Sequence, residues 1–243
     1  MDSHTVSKLI DLNQQFYQTF ALQFSQTRKR LQPGVRHILE SLPPAADILD
    51  LGCGNGELAR QLAQRGHQGA YVGLDFSEGL LAEARKATPP GFQAVFLQAD
   101  LAQPEWAKNL PQTSFDILLA FAVFHHLPGN ELRRQVLQTA RSLLSRQGSL
   151  IHSEWQFLNN PRLAARIQPW ESIGLTPLQV DPQDYLLDWR QGGFGLRYIH
   201  YFEPEELELL AASSGFKILD TFYSDGEGGR LSLYQTWRPR QPD

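Results

Sequence analysis

The chain has 243 residues, 42% hydrophobic and 20% charged, which is enough apolar mass for one large folded unit and too much for an extended disordered chain. A single cysteine excludes an intrachain disulfide and argues against a stapled, secreted module. The net charge of -4, from 22 Lys plus Arg against 26 Asp plus Glu, argues against a wholly basic nucleic-acid binder but leaves room for a local basic patch.

The N-terminal residues lack the apolar run and small-residue cleavage site of a signal peptide. No stretch approaches the roughly 18 apolar residues needed to cross a bilayer, so the cytoplasm is the expected compartment and no membrane partner is expected. Residues 1–43 read as a helical cap. Val6, Leu9, Ile10, Phe16, Phe20 and Phe24 form a rough helical stripe, and Pro33 is suited to the first turn of a second helix running to Leu42.

From residue 44 the pattern alternates strand and helix. Short apolar runs at 47–51, 70–74, 94–97, 115–119 and 149–151 predict strands. Helices are predicted over 57–65, from an N-cap at Ser77 to Lys86, and over about 130–144. Strands separated by helices of this length predict an α/β fold, a mostly parallel sheet with helices on both faces. Residues 155–203, punctuated by Pro161, Pro169, Pro177 and Pro182, show no obvious strand and read as an irregular or short-helical insertion on the substrate side. A helix over 203–213 follows. Two final strands, 216–220 and 231–237, are joined by a glycine-rich turn and predict an antiparallel pair that finishes the sheet of the 44–243 core.

The strongest local signal is Asp50-Leu51-Gly52-Cys53-Gly54-Asn55-Gly56, directly after a predicted strand and before a predicted helix. Glycines there permit a tight turn and close backbone approach to a ligand. The spacing departs from the dinucleotide fingerprint, which requires a glycine three positions after the second. The compact form resembles the glycine-rich motif of the class I S-adenosylmethionine-dependent methyltransferases, whose Rossmann-like fold carries a seven-stranded, mostly parallel sheet.

That resemblance implies S-adenosyl-L-methionine as cofactor, held by Gly52, Cys53, Gly54 and Gly56, with Asp50 steadying the loop or accepting from the cofactor ammonium. Asp75, ending the second strand, is placed to accept both ribose hydroxyls. Asp100, after the third strand, would lie beside the adenine amino group, with Phe76, Leu101 and Phe121 packing on the ring. His125 and His126 follow the fourth strand and so fall near the transfer site, where either a catalytic or a packing role is open. No His/Cys cluster has metal-ligand spacing, so no metal is expected.

Further segments point to an acceptor. Phe24-Ser25-Gln26-Thr27-Arg28, Asp184-Tyr185-Leu186-Leu187-Asp188-Trp189 and Arg197-Tyr198-Ile199-His200-Tyr201-Phe202 together are similar to the tRNA wobble-uridine carboxymethyl methyltransferases. The resemblance implies esterification of a carboxylate on a modified tRNA uridine. Ile199 replaces the family's second tyrosine, and Gly229-Arg230-Leu231 departs from its aromatic-bearing tail. An ionised carboxylate needs no general base, only a cationic or hydrogen-bonding clamp. Arg28, Arg197, Tyr198 and His200 are the clamp candidates, with His125 at the transfer site and Tyr17 and Tyr185 from neighbouring segments. A small metabolite is the alternative acceptor, and a non-catalytic binding protein on the same fold the alternative class. Whether a small activating protein partner is needed stays open.

Overall fold

The computed structural model describes residues 1–27 and 30–240, apart from the side chains at positions 22, 24, 26 and 27. Arg28 and the Phe24 side chain therefore lie outside the described residues. The chain opens with two helices, α1 (Ser3–Thr27) and α2 (Pro33–Ser41). Thr5, Leu9, Asn13, Phe16 and Phe20 fall at spacings of three and four and form the buried stripe of α1. Helical geometry breaks at Phe20 (φ -109°, ψ 16°), which kinks α1. Pro33 occupies the first turn of α2 as its sequence predicts.

The alternating core follows in order: β1 (Ile48–Leu51), α3 (Glu57–Gln64), β2 (Tyr71–Asp75), α4 (Glu78–Ala87), β3 (Ala94–Gln98), β4 (Phe115–Phe121), α5 (Asn130–Ser142) and β5 (Leu144–Trp155). After an intervening segment come α7 (Pro204–Ser213), β9 (Phe216–Ser224) and β10 (Ser232–Pro239). One sheet runs in the order β3-β2-β1-β4-β5-β10-β9. Every pairing from β3 to β5 is parallel, and β10 runs antiparallel to both β5 and β9. β1 and β2 are buried along their whole length, the state of a parallel strand covered on both faces. Leu49, Leu51, Val72, Leu74, Val136, Leu137 and Leu207 fill one side of the sheet, and Ile48, Ile38, Leu58, Leu62, Tyr71 and Leu81 the other.

The strand order reverses direction between β1 and β4. In such sheets a crevice opens there, at the carboxyl ends of the strands.

The intervening segment corrects the strandless reading of 155–203. It carries α6 (Pro161–Ala164) and a second, three-stranded antiparallel sheet of β6 (Ile167–Gln168), β7 (Asp184–Trp189) and β8 (Gly195–His200). The strand pattern is masked because the inward positions are not all apolar: Asp184, Asp188, Arg197 and His200 are all buried. Alternation assigns the residues to two faces. Tyr185, Leu187, Trp189, Arg197 and Ile199 share one face, and Asp184, Leu186, Asp188, Tyr198 and His200 share the other.

Candidate functional site

A cavity of about 540 Å³ lies over the carboxyl ends of β1 to β5, walled also by α1, α2 and the second sheet. Its floor is the loop after β1. The backbone N–H groups of Gly52 and Cys53 donate to the Leu74 carbonyl at 2.7 and 2.9 Å, which folds the loop back over β2. Gly54, at φ +56°, faces open space, with no atom within 4 Å of where a Cβ would stand. Backbone can approach a ligand closely at such a position. Gly56 plays a different part from the one the sequence suggests. It does not line the cavity; a Cβ on it would stand 2.7 Å from the Ala84 Cβ, so it allows α3 to pack against α4.

Carboxylates stand at three successive strand ends. Asp75 accepts from the backbone N–H of Gly54 and of Ser77, each at 2.9 Å, which ties the loop to the start of α4. Asp50 accepts from the Tyr71 hydroxyl beneath the loop. Asp100 accepts from the Ala102 N–H and from the Gln14 amide of α1, both at 2.9 Å. Phe76, Ala99, Leu101 and Phe121 add apolar walls. Cys53 also lines the cavity, and burial pushes its thiol up, away from nucleophile chemistry.

Burial is the main reason that Asp75 rises from 3.8 to about 6 and Asp50, with the Asp75 charge adding to it, to about 7. For Asp75 the folded value lies above the unfolded one. Its contribution to stability is therefore full below about 3.8 and lost as pH rises through about 6. A ligand that donates hydroxyls to the Asp75 carboxylate favours the ionised form and works in the opposite sense. Affinity for S-adenosylhomocysteine is expected to rise about tenfold between pH 5 and 7, and Asp75→Asn to flatten that rise. Calorimetric titration at stepped pH checks this, and a pH-independent affinity of the parent contradicts it.

On the other side of the cavity stand β4, β5 and the second sheet. His125 is buried and lines the wall; its Nδ1 lies 2.9 Å from Glu154 Oε2, and the same oxygen accepts the His125 backbone N–H at 3.1 Å. His126 Nδ1 faces the Tyr198 carbonyl, which can only accept, so Nδ1 carries a proton, and Nε2 shares a hydrogen bond with the Tyr17 hydroxyl at 2.7 Å. Tyr17 and His126 thus reach the cavity as a pair.

Arg197 reaches the cavity too. Its guanidinium carbon lies 4.9 Å from the centre of the Trp155 ring, 5.4 Å from Phe16 and 5.7 Å from Trp189. Arg197 is buried, its Nε has no hydrogen-bond partner, and no carboxylate lies within ion-pair distance among the described residues. Three aromatic rings hold the cation in place without neutralising it.

Two clamp candidates do not reach the cavity. Tyr198 and His200 project from the opposite face of β8, because neighbouring positions in a strand alternate. The Tyr198 hydroxyl donates to Asp184 Oδ1 at 2.7 Å and accepts from Arg133 at 2.9 Å. His200 is held between Asp184 at 2.7 Å and Glu206 at 2.8 Å. Tyr185 is also absent from the cavity wall and packs on Phe157. The sequence reading missed Trp155, Trp189 and Phe16 as the arginine cage and Glu154 as the partner of His125. Trp155 was accessible to it: it is the last residue of β5, next to the strand that delivers His125.

An open glycine cradle, ringed by carboxylates at adjacent strand ends and apolar walls, fits a nucleoside with a cationic tail. Gly52, Gly54 and Asp75 would hold its backbone and ribose, and Asp100, Phe76 and Leu101 its base. Fold and site define an α/β, Rossmann-like methyltransferase domain. Residues 48–148 match the methyltransferase domain family.

The chain is 30% identical over 207 residues to a putative methyltransferase of Encephalitozoon cuniculi (strain GB-M1), covering 84% of this chain and 87% of that one. It is 27% identical over 231 residues to the tRNA (carboxymethyluridine(34)-5-O)-methyltransferase of Schizosaccharomyces pombe, covering 86% and 90%. To the trans-aconitate 2-methyltransferase of Acidovorax sp. (strain JS42) it is 35% identical over 120 residues, 49% of this chain and 42% of that one. The fold matches that of the magnesium protoporphyrin IX methyltransferase of Synechocystis, solved with bound S-adenosylhomocysteine, at a TM-score of 0.53 and 21% identity over 84% of this chain and 78% of that one. The chain belongs to the S-adenosylmethionine-dependent methyltransferases, and S-adenosylmethionine is its cofactor. No helix among the described residues is long and apolar enough to cross a membrane, and no group of three or more His, Cys, Asp or Glu there could hold a metal ion.

Proposed function

We propose that the chain methylates a carboxylate oxygen, and that the acceptor is the carboxymethyl group of a modified wobble uridine in tRNA. The observation that carries this is Arg197, buried and uncompensated in the cavity wall. Apart from Arg30, which precedes α2, and Glu57, which is paired with Arg60, the charges of the lining divide accordingly. Asp50, Asp75 and Asp100 stand at the β1, β2 and β3 ends, suited to a cationic cofactor. Arg166 and Arg197 come from the second-sheet side, suited to an anionic acceptor. Asp225, in the turn between β9 and β10, is already engaged, accepting from Gly34 N–H at 2.9 Å and from the Tyr234 hydroxyl at 2.6 Å.

When bound, S-adenosylmethionine supplies a methyl group on a positively charged sulfur. Arg197 would hold the acceptor carboxylate through one oxygen and leave the other aimed in line, while Trp155 and Trp189 keep water away. The carboxylate oxygen forms the new bond to carbon and the electron pair of the carbon–sulfur bond stays on sulfur. No proton has to move, so the reaction makes no demand on Tyr198 or His200. The relative in Schizosaccharomyces pombe, named for carboxymethyluridine, aligns over most of both chains and supports this acceptor. The trans-aconitate relative names another carboxylate but matches less than half of either chain, so a small carboxylic acid is the second reading.

Incubating the protein with S-adenosylmethionine and either tRNA carrying carboxymethyluridine or a pool of small carboxylic acids separates the two. Mass analysis of the digested tRNA is expected to show a methylated wobble nucleoside. Methylation confined to the small acids would transfer the assignment to them, and none in either pool would remove it.

A further inference from the structure

Beyond the cavity, the acceptor side ends in a surface turn. The chain reverses between β7 and β8 at residues 190–194, and Trp189 and Gln191 at the root of the turn line the cavity. Gly192 (φ +73°) and Gly193 (φ +144°) let this turn lie flat on α1. A Cβ on the first would stand 2.5 Å from Gln23 Cγ, and on the second 3.1 Å from the Phe20 ring. Trp189 Nε1 donates to the Gln191 carbonyl at 2.6 Å and braces the bend.

From this fixed backbone Phe194 stands 67% exposed. In the same turn the Arg190 side chain is 65% exposed, yet its Nε and one terminal nitrogen both donate to Oδ2 of buried Asp188, at 2.9 and 2.6 Å. Arg30 and Arg166 line the cavity, and Arg166 has no ion pair among the described residues. An exposed aromatic alone is ordinary. Here it sits on a turn packed against α1 at the edge of the anion-binding side, and its neighbours in the turn are Arg190, Gln191 and two glycines, not the contiguous apolar surface that a protein partner would cover. Single-stranded nucleic acid is recognised by this combination: an aromatic face for a base and guanidinium groups for the phosphates.

We propose that the β7–β8 turn is a docking platform for single-stranded RNA. A nucleotide flanking the acceptor base stacks on Phe194, and its phosphates lie against Arg190, Arg30 and Arg166. This rests on the reading that the acceptor is an RNA base.

The test uses the full chain and the variants Phe194→Ser, at a solvent-exposed side chain and checked for an unchanged melting temperature, and Arg190→Gln, which also takes the ion pair from buried Asp188 and is therefore read only at a temperature where circular dichroism shows it folded. Binding is read by fluorescence anisotropy with a labelled single-stranded oligoribonucleotide of anticodon-loop sequence. Turnover is read with tRNA and, separately, with free 5-carboxymethyluridine. Phe194→Ser is expected to weaken the oligonucleotide and raise KM for tRNA by about tenfold, while kcat/KM for the free nucleoside stays at the parent value. Arg190→Gln should weaken binding and make it less sensitive to salt. Unchanged affinity in Phe194→Ser overturns the platform, as does a parent with no affinity for the oligonucleotide. Loss of self-association without any change in RNA binding also overturns it, by assigning the turn to a second copy of the chain. If the parent binds the oligonucleotide through Phe194 yet methylates neither substrate, the acceptor assignment falls and the platform stands.

Discussion

Replacing Arg197 with alanine is expected to lower kcat/KM for the acceptor on the order of 100- to 1000-fold, the effect of removing one preorganised charge-stabilising donor from a dry site. Affinity for S-adenosylhomocysteine should hardly change, because the cradle and the three carboxylates belong to β1, β2 and β3, whereas Arg197 belongs to β8. Arg197→Lys should recover only part of the loss. Its ammonium lacks the planar face that stacks against Trp155, Phe16 and Trp189 and the fork that orients a carboxylate. Steady-state kinetics beside calorimetry separates the two readouts. Equal losses in cofactor affinity and turnover would mean that Arg197 supports the fold, not the acceptor.

The second large effect concerns the buried charges behind the site. Arg133 of α5 is 1% exposed. Its Nε donates to the Leu127 carbonyl at 2.9 Å, and a terminal nitrogen donates to the Tyr198 hydroxyl. Asp184 lies at 3.8 Å and Glu206 at 3.6 Å, and the Phe202 ring covers its guanidinium at 4.9 Å. The cluster joins α5 to β7, β8 and the start of α7, and so fixes the second sheet on the core. Arg133→Met removes the buried guanidinium that faces Asp184, Glu206 and the Tyr198 hydroxyl, leaving Asp184 held only by His200, the Tyr198 hydroxyl and backbone, and a destabilisation of about 3–5 kcal/mol is expected. Denaturant unfolding measures it. A loss below about 1 kcal/mol would show that the cluster adds little beyond packing. Because Tyr198 lies within this cluster and Arg197 is the next residue on the other face of the same strand, turnover should fall with stability in this variant.

The glycine loop and strand-end carboxylates that line the cavity were legible because their placement is local. The compact glycine loop, the carboxylate at each following strand end and the apolar residues beside them all follow from strand–turn–helix geometry over a few residues. Gly56 shows the limit of such reading: its role in letting α3 meet α4 depends on Ala84, distant in sequence. The acceptor half depends on tertiary context. Arg133 sits in a helix that looks like a surface helix, and it is buried only by the second sheet, Phe202 and Glu206 closing over it. Arg197, Tyr198 and His200 look like one cluster when read along the chain. Once 184–200 is recognised as a hairpin, alternation alone sends Arg197 to the cavity and the other two to the buried side. The aromatic cage draws on α1, β5 and β7, a convergence that no local pattern records.

The most direct test of carboxylate methylation guided by Arg197 uses S-adenosylmethionine labelled in its methyl group, with tRNA bearing carboxymethyluridine as acceptor. The label is expected in the wobble nucleoside as an ester that mild alkali releases, with Arg197→Ala losing nearly all of it while still binding S-adenosylhomocysteine. Alkali-stable label on a ring atom or sugar hydroxyl, or full labelling by Arg197→Ala, would contradict the account.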